Sequence, residues 1–315
     1  MKDLSKYSAY GGSGWSPRKQ SHRDEIGTLW AKCGINTQFK TLKSVIVHKP
    51  GPEITELADP DAVQMLEIPD HRIASEQHDS MAKAFEDNGV EVHYVEPAEE
   101  PSPNLMFVAD LMFMTPEGVL LARPASTVRA GEERWVARKL ADIGIPIVRT
   151  ITGKGVFEGA DAAWVDEETV IVATGHRTNP DGAAQIASTL DCMGIDVIHV
   201  GLPHGSMHLM GTLRIMDEDL ALCWPERVPF DAVAELKERG FDVNFIPDIE
   251  EAKKGMALNV VTLSPGKILM PAGNSVTEDY FNDLGIECVT VKVDELAKAA
   301  GAVGCLTGIL EREMG

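Results

Sequence analysis

Cysteine is scarce in this 315-residue chain, and no two cysteines form a C-x-x-C pair. An odd count of five argues against a disulfide framework or a zinc ribbon and favours free thiols in a reducing compartment. No apolar run reaches the length of about 18 residues that a membrane span requires. The basic N-terminal stretch also lacks the apolar segment of a secretory signal. We therefore expect a cytoplasmic protein.

Positive charge is also scarce. The chain has 29 Lys and Arg against 49 Asp and Glu, which gives a formal net charge of -20. This charge argues against nucleic acids and anionic membrane surfaces as partners, whereas a small cationic substrate would be attracted. Hydrophobic residues make up 44% of the chain, enough to form a sizeable core.

The chain has no G-x-G-x-x-G loop after any predicted strand, so the phosphate-binding loop of an open, doubly wound sheet is missing. Instead, one pattern repeats five times: an apolar β-branched run, an amphipathic helix, a glycine and a second apolar run. The glycine of each unit is predicted to end its helix in the left-handed conformation. These glycines are Gly89, Gly144, Gly194, Gly240 and Gly285.

A polar residue follows each of the five units: Asp110, Glu158, His208, Asn259 and Cys305. A closed ring would bring these equivalent positions to a common axis, so the pattern favours an α/β ring with pseudo-five-fold symmetry. We assign residues 41–315 to this single catalytic domain and residues 1–40 to an N-terminal arm. The turn-rich part of the arm, residues 10–17, is predicted either to cover the site or to contact another subunit of a homo-oligomer.

Cys305 differs from the other four cysteines, which lie in apolar helical or strand-like surroundings typical of inert buried thiols. It follows the loop Gly301-Ala-Val-Gly304, where glycines permit close approach of the backbone to a ligand. We predict that Cys305 is a nucleophile. For its acid/base partner we favour His208, at the start of a strand, over His204, which lies in the preceding turn.

Three carboxylates complete the candidate site. Asp110 lies inside an apolar run, where a carboxylate must be paired or functional. Glu158 and Asp161 flank a Gly-Ala turn and are expected at an apolar mouth. Carboxylates, a histidine and a thiol suit a guanidinium, whose five donors match carboxylates. Arg129 and Arg177 are either carboxylate ligands for an amino-acid substrate or, more simply, surface ion pairs.

These residues, in this order, resemble the guanidine-modifying superfamily of arginine deiminases, dimethylarginine dimethylaminohydrolases and glycine amidinotransferases. The resemblance covers residues 40–312 and depends on five short motifs. They are Pro103-Asn104-Leu-Met-Phe107 with Asp110, Phe157-Glu158-Gly-Ala-Asp161, Gly175-His-Arg177-Thr-Asn179, His208-Leu and Cys305-Leu-Thr.

The resemblance implies a five-bladed α/β propeller with the site on its axis and no metal or organic cofactor. Cys305 would be the nucleophile and His208 the general acid/base, with Glu158 contacting the histidine and the guanidinium. The remaining positions would bind substrate: Asp110 and Asp161 as carboxylates, Arg129 and Arg177 at the substrate carboxylate, and Asn104 and Phe107 lining the pocket.

Two motifs depart from the superfamily pattern. Met210 stands where deiminases and amidinotransferases have the aspartate of His-x-Asp, and Ala160 replaces the second glycine of Glu-Gly-Gly-Asp. In lacking this carboxylate, the chain is similar to the dimethylarginine hydrolases. The missing charge favours N-substituted guanidines as substrates. We therefore predict cysteine-dependent hydrolysis of arginine or an N-substituted arginine to a ureido product. The alternatives are amidino transfer to an amine and a ligand-binding protein without turnover.

Overall fold

The computed structural model describes residues 14–55, 57 and 59–314, and this part of the chain folds into five separate three-stranded sheets. The strands are β1 Leu42–Val47, β2 Glu91–Tyr94, β3 Met112–Thr115, β4 Gly118–Leu121, β5 Ile147–Thr150, β6 Ala162–Asp166, β7 Thr169–Thr174, β8 Asp196–Gly201, β9 Leu213–Ile215, β10 Leu220–Cys223, β11 Asp242–Phe245, β12 Val261–Ser264, β13 Lys267–Pro271, β14 Glu287–Val291 and β15 Gly308–Arg312. The helices are α1 His22–Glu25, α2 His71–Asp87, α3 Glu133–Asp142, α4 Pro180–Asp191, α5 Phe230–Glu238, α6 Ile249–Lys253, α7 Ser275–Asp283 and α8 Asp294–Ala297.

All five sheets have the same topology. The middle strand pairs parallel with the strand that follows its helix and antiparallel with its other neighbour, which is the preceding strand in four sheets, as in β3-β4-β5 and β6-β7-β8, and β15 in the sheet of β1. A parallel pair needs a crossover connection, and α2, α3, α4, α5 and α7 supply the five crossovers. The five predicted strand–helix–strand units are confirmed. Each sheet also has an antiparallel first strand, which the repeat pattern did not separate from the loop before it.

The two ends of the domain complete one sheet between them. β15 pairs antiparallel with β1, with Val45 opposite Ile309, so the sheet order is β15-β1-β2. Neighbouring sheets contact one another through β15 and β3, β6 and β9, and β1 and β12. Residues of all five first strands, β15, β3, β6, β9 and β12, also line one common cavity, so the sheets form a closed ring, which confirms the predicted five-bladed α/β propeller.

The repeated glycines end their helices in the predicted way. All five lie in the left-handed region, with φ between 75° and 91°, where a residue without Cβ fits at least cost. Each lies two or three residues beyond the end of its helix and turns the chain into the parallel strand. Along α2, the buried Ala74, Met81 and Phe85 show the spacing by which such a helix packs on its sheet.

Part of the predicted N-terminal arm packs against the propeller. Cys33, Ile35 and Phe39 are buried, and Gly34 exchanges backbone hydrogen bonds with Leu310 and Arg312 at the end of β15. Residues 10–13 of the turn-rich stretch lie outside the described residues, so the role of that stretch stays a prediction, as do the domain boundary and the homo-oligomer. No helix among the described residues is long and apolar enough to cross a membrane.

Candidate active site

The five polar residues at equivalent positions meet at one end of the ring. Each lies two to five residues before the first strand of its sheet, so the sheets present all five at the same level. Asp110, Glu158 and His208 bring ligand atoms within 4.8 Å of one another. Asn259 bonds to Cys305 on the other side of the cluster. The repeat register of the sequence therefore predicted this convergence.

Asp110 is a buried carboxylate in which one oxygen accepts a hydrogen bond and the other has no hydrogen-bond donor. Its Oδ2 accepts a hydrogen bond from Arg129 Nη1 at 2.5 Å. Its Oδ1 is buried without a hydrogen-bond partner and lies 3.8 Å from His208 Nδ1. A buried carboxylate oxygen without a donor is costly unless a ligand supplies one. Oδ1 is therefore a vacant acceptor for a cationic donor.

Arg129 is 3% exposed, so the simpler interpretation as a surface ion pair is wrong. Its Nε donates to Glu132 Oε2 at 2.8 Å, and its Nη2 donates to the carbonyl oxygens of Asn104 and Phe107 at 3.3 Å. With Asp110, these acceptors use most of the five donors of the guanidinium. Its predicted role at a substrate carboxylate stays untested, and its contacts favour the positioning of Asp110.

His208 is held as a cation by two acids. Its Nε2 lies 2.7 Å from Oε2 of Glu158, which is fully buried. Burial alone would lower the pKa of His208, but the charge of Asp110 and the hydrogen bond with Glu158 raise it to about 9. Burial raises the pKa of Glu158, but the hydrogen bond with His208 and the charge of His208 lower it. The pKa of Glu158 therefore falls to about 2. At neutral pH the imidazolium can therefore donate a proton. The competing candidate, His204, is exposed and stands beside His176.

Cys305 is oriented by Asn259, a residue that the repeat indicated but that we did not assign to the site. Asn259 Nδ2 donates to Cys305 Sγ at 2.9 Å, while Asn259 Oδ1 accepts from the backbone N–H of Cys305 at 3.0 Å. Burial and the negative charge of Asp110 raise the pKa of the thiol, and the Asn259 hydrogen bond opposes them. Neutralisation of Asp110 by a cation would therefore favour the thiolate.

The glycines before Cys305 approach protein groups rather than an open cavity. A Cβ at Gly301 would lie 2.3 Å from the Phe107 ring, and one at Gly304 would lie 2.3 Å from Arg214 Nη2. The loop therefore needs glycine because Phe107 and Arg214 are packed against its backbone. This corrects the expectation that these glycines serve close approach to a ligand.

Most of the predicted site residues line one cavity of about 30 Å³, which we call the guanidinium cavity. Seven predicted residues line it: Asn104, Phe107, Asp110, Arg129, Arg177, His208 and Cys305. Arg177 is at the outer side, where its guanidinium lies 3.5 Å from Glu158 and its side chain is 14% exposed. The cavity thus has a carboxylate at its deep end and an arginine towards solvent.

Glu158, Asp161 and Met210 lie outside the guanidinium cavity. Glu158 and Asp161 are fully buried rather than at an apolar mouth, so that expectation is wrong. Asp161 accepts from Thr178 Oγ1 at 2.7 Å and from the Leu209 backbone N–H at 3.1 Å, and burial raises its pKa to about 6. These contacts position the His208 segment. Its role as a substrate ligand stays a prediction.

Met210 lines a neighbouring cavity of about 200 Å³ that shares His208 and Cys305 with the guanidinium cavity. Its apolar walls are Met207, Met210, Trp224, Met256 and Leu258. We call it the apolar side pocket. Because both cavities reach Cys305, a group leaving the guanidinium carbon has an apolar space beside it.

Three residues at these cavities escaped the sequence analysis. Gln64, Met256 and Ala300 are the described non-glycine residues with positive φ, at 64°, 51° and 76°. Gln64 and Ala300 line the guanidinium cavity, and Met256 lines the apolar side pocket. Strained backbone at non-glycine residues is a mark of functional sites. Their residue types carry no such signal in the sequence.

Asp110, Glu158 and His208 also form the one group of acidic, histidine or cysteine side chains in the described chain that could hold a metal ion. All three of these ligands are already engaged, because Glu158 pairs with His208 and Asp110 pairs with Arg129. A metal would have to replace both contacts. A guanidinium would reach the vacant Asp110 oxygen without disturbing either.

The family model described as N,N dimethylarginine dimethylhydrolase, eukaryotic, matches residues 64–310. The chain belongs to this family. It is 28% identical over 265 residues to an N(G),N(G)-dimethylarginine dimethylaminohydrolase of Streptomyces coelicolor, with 84% of this chain and 96% of that protein covered. It is 26% identical over 265 residues to the protein of that name from Pseudomonas aeruginosa, with 84% and 98% covered.

The fold comparison agrees. A cysteine-to-serine variant of the Pseudomonas aeruginosa enzyme complexed with citrulline superposes with a TM-score of 0.73 at 24% identity, covering 85% of this chain and 99% of that one. The predicted superfamily is confirmed. As a member of the dimethylarginine dimethylaminohydrolase family, the chain is a hydrolase acting on amidine C–N bonds, which confirms the predicted reaction class.

Proposed function

We propose that the protein hydrolyses an N-methylated arginine to citrulline and a methylamine, with Cys305 as the nucleophile. The observation that carries the proposal is the vacant buried Oδ1 of Asp110 in a cavity that also contains Cys305, His208 and Arg177. An anionic deep end and a cationic mouth match a substrate with a guanidinium at one end and a carboxylate at the other. The activity for which the family is named supports the same substrate class.

The proposed reaction has two halves. The guanidinium binds Asp110 and cancels the charge that raises the pKa of Cys305. The thiolate then attacks the guanidinium carbon, a C–S bond forms, and His208 donates a proton to the amine as its C–N bond breaks. His208 next takes a proton from water, which attacks the thiouronium carbon. The C–S bond breaks, and citrulline leaves with the thiolate restored.

A panel of guanidines tests the proposal. The protein is incubated with arginine, N-monomethyl- and N,N-dimethylarginine and free guanidine, and ammonia, methylamines and ureido products are measured. Methylamine and citrulline in equal amounts are expected. Transfer of the amidino group to an added amine would instead support an amidinotransferase. No product from any of them would support the non-catalytic alternative.

Arg177→Ala is expected to weaken the use of N-methylated arginine far more than that of a methylguanidine without a carboxylate. The loss of a charge-assisted hydrogen bond costs about 1.5–3 kcal/mol, which corresponds to roughly 10- to 150-fold in kcat/KM. The measurement is kcat/KM for both substrates in wild type and variant. Arg239→Ala, at a surface arginine paired with Asp166 and outside both cavities, is the matched control. Equal losses on both substrates would show that Arg177 is structural.

Met210→Asp is expected to shift preference towards unsubstituted arginine. In the wild type, the apolar side pocket beside Cys305 would accept the methyl groups of the leaving amine, at about 0.8 kcal/mol per buried methyl-sized group. Two methyl groups give roughly tenfold selectivity, which the variant should lose. Competition between arginine and N,N-dimethylarginine measures it, and Met210→Leu is the apolar control. Efficient use of arginine by the wild type, with every N-substituted analogue ignored, would contradict this role.

A further inference from the structure

A separate cavity of about 80 Å³ lies on the axis of the ring beneath the active site. All five first strands line it, but Cys305, His208 and Asp110 do not. Two of its lining residues are arginines, Arg214 on β9 and Arg312 on β15. We call this space the axial cavity. Neither arginine lines the guanidinium cavity, although the charge of Arg214 helps to lower the pKa of Cys305.

Both arginines are buried with donors unused. Arg214 is 9% exposed; its Nε donates to the Leu258 carbonyl at 3.2 Å, and its Nη2 is buried without a partner. Arg312 is 5% exposed; its Nη1 donates to the Lys40 carbonyl at 2.6 Å, and its Nε is buried without a partner. The ion pairs of the described residues include neither of them, whereas buried Arg129 has two acids in contact.

Two unpaired cations in one interior space are unusual, because a buried charge is costly unless it is paired. Burial lowers the pKa of Arg214 to about 10, and burial together with the charge of Arg214 lowers that of Arg312 to about 9. Both guanidinium groups therefore remain charged at neutral pH. Acidic residues outnumber basic ones by 20 in this chain, so a shortage of acids does not explain the missing partners.

We propose that the axial cavity binds a small oxyanion between Arg214 and Arg312. Guanidinium groups match the oxygens of carboxylate, sulfate and phosphate, and the unused nitrogens supply donors on two sides. Gln38 adds a third donor group: its Oε1 accepts from the Ile215 backbone N–H, which leaves its amide NH₂ as the free polar end. Liquid water takes about 30 Å³ per molecule, so the space suits an ion of a few heavy atoms.

The bound oxyanion would join parts of the chain that are distant in sequence. Arg214 belongs to the fourth sheet, Arg312 closes the first, and Gln38 comes from the N-terminal segment that packs against them. Because the oxyanion would bind the folded protein and not the unfolded chain, its binding would stabilise the closed ring.

Thermal unfolding in exchanged buffers tests the proposal. The protein is dialysed into gluconate, an anion too large for the cavity, and sulfate replaces gluconate at constant ionic strength. A saturable rise in Tm of roughly 1–2 °C is expected when sulfate exceeds its Kd about fivefold. Arg312→Met should lose this rise, whereas Arg239→Met, at a surface arginine paired with Asp166, should keep it. A wild-type response no larger than that of Arg312→Met would overturn the proposal.

Crystals soaked in selenate give a direct measurement that does not depend on the variant's folding. The expected result is an anomalous peak between the guanidinium groups of Arg214 and Arg312 in the wild type. A parallel titration with acetate separates the sources: a larger rise in Tm with acetate than with sulfate would identify a carboxylate ligand, and the reverse an inorganic oxyanion. Ordered water alone in the cavity, or a carboxylate of the chain itself between the arginines, would overturn the proposal.

Discussion

Cys305→Ser is expected to lower kcat by roughly 10³-fold or more while the fold and substrate binding are retained. A serine hydroxyl is a far weaker nucleophile than a thiolate at neutral pH, and no second thiol lines the guanidinium cavity. The serine also keeps the position from which Asn259 donates its hydrogen bond. The loss should therefore appear in kcat, with the Kd for N-methylated arginine changed little.

Cys192→Ser is the matched control, because Cys192 is also a free cysteine but lies away from the guanidinium cavity and is exposed, which corrects the expectation that it is buried. It should retain wild-type turnover. The positive counterpart is the trapping of a covalent adduct by acid quench, with mass spectrometry locating it on the peptide that contains Cys305. A serine variant with more than a few per cent of wild-type activity would exclude Cys305 as the nucleophile.

The ring and its convergent site could be predicted because the repeat fixes both. A glycine after each helix and a polar residue before each first strand are local signals, and five copies in register imply a common axis. Asp110, Glu158, His208, Asn259 and Cys305 meet at one end of the ring for that reason. The antiparallel first strands were harder to predict, because their short apolar runs continue directly from the polar turns.

The sequence could not show which charged side chains of the site pair with one another, or which of them are buried. Arg129 lies 19 residues after Asp110, a spacing that says nothing of its burial, and its other acid, Glu132, comes from the same turn. Glu158 and Asp161 have flanking aromatic residues in sequence, but the tertiary packing buries both acids completely. Gln64 and Ala300 have positive φ although non-glycine residues seldom adopt it, so residue type alone could not indicate it.

Asp110→Asn is expected to lower kcat/KM for N-methylated arginine by roughly 100-fold. The variant loses the charged acceptor for the guanidinium, at about 1.5–3 kcal/mol, and it leaves Arg129 with one fewer acid. Asn is close in size, so the cavity keeps its shape. Asp166→Asn, at a partly exposed acid paired with Arg239, removes the same charge elsewhere and should retain wild-type kinetics.

The same variant should change two protonation equilibria in a way that simple misfolding would not. Asp110 is the main group that raises the pKa of His208 to about 9. Without its charge, the pKa of His208 should be lower, so the imidazolium should lose its proton at a lower pH in the variant. The activity that remains should then fall off at a lower alkaline pH than in the wild type.

Asp110 also raises the pKa of Cys305, so the variant's thiol should ionise more readily. Its alkylation by iodoacetamide at neutral pH should therefore be faster than in the wild type, even though turnover is slower. Slower alkylation together with an unchanged alkaline limb would mean that Asp110 does not control these two groups, and an unchanged kcat/KM would mean that its vacant oxygen is not the guanidinium acceptor.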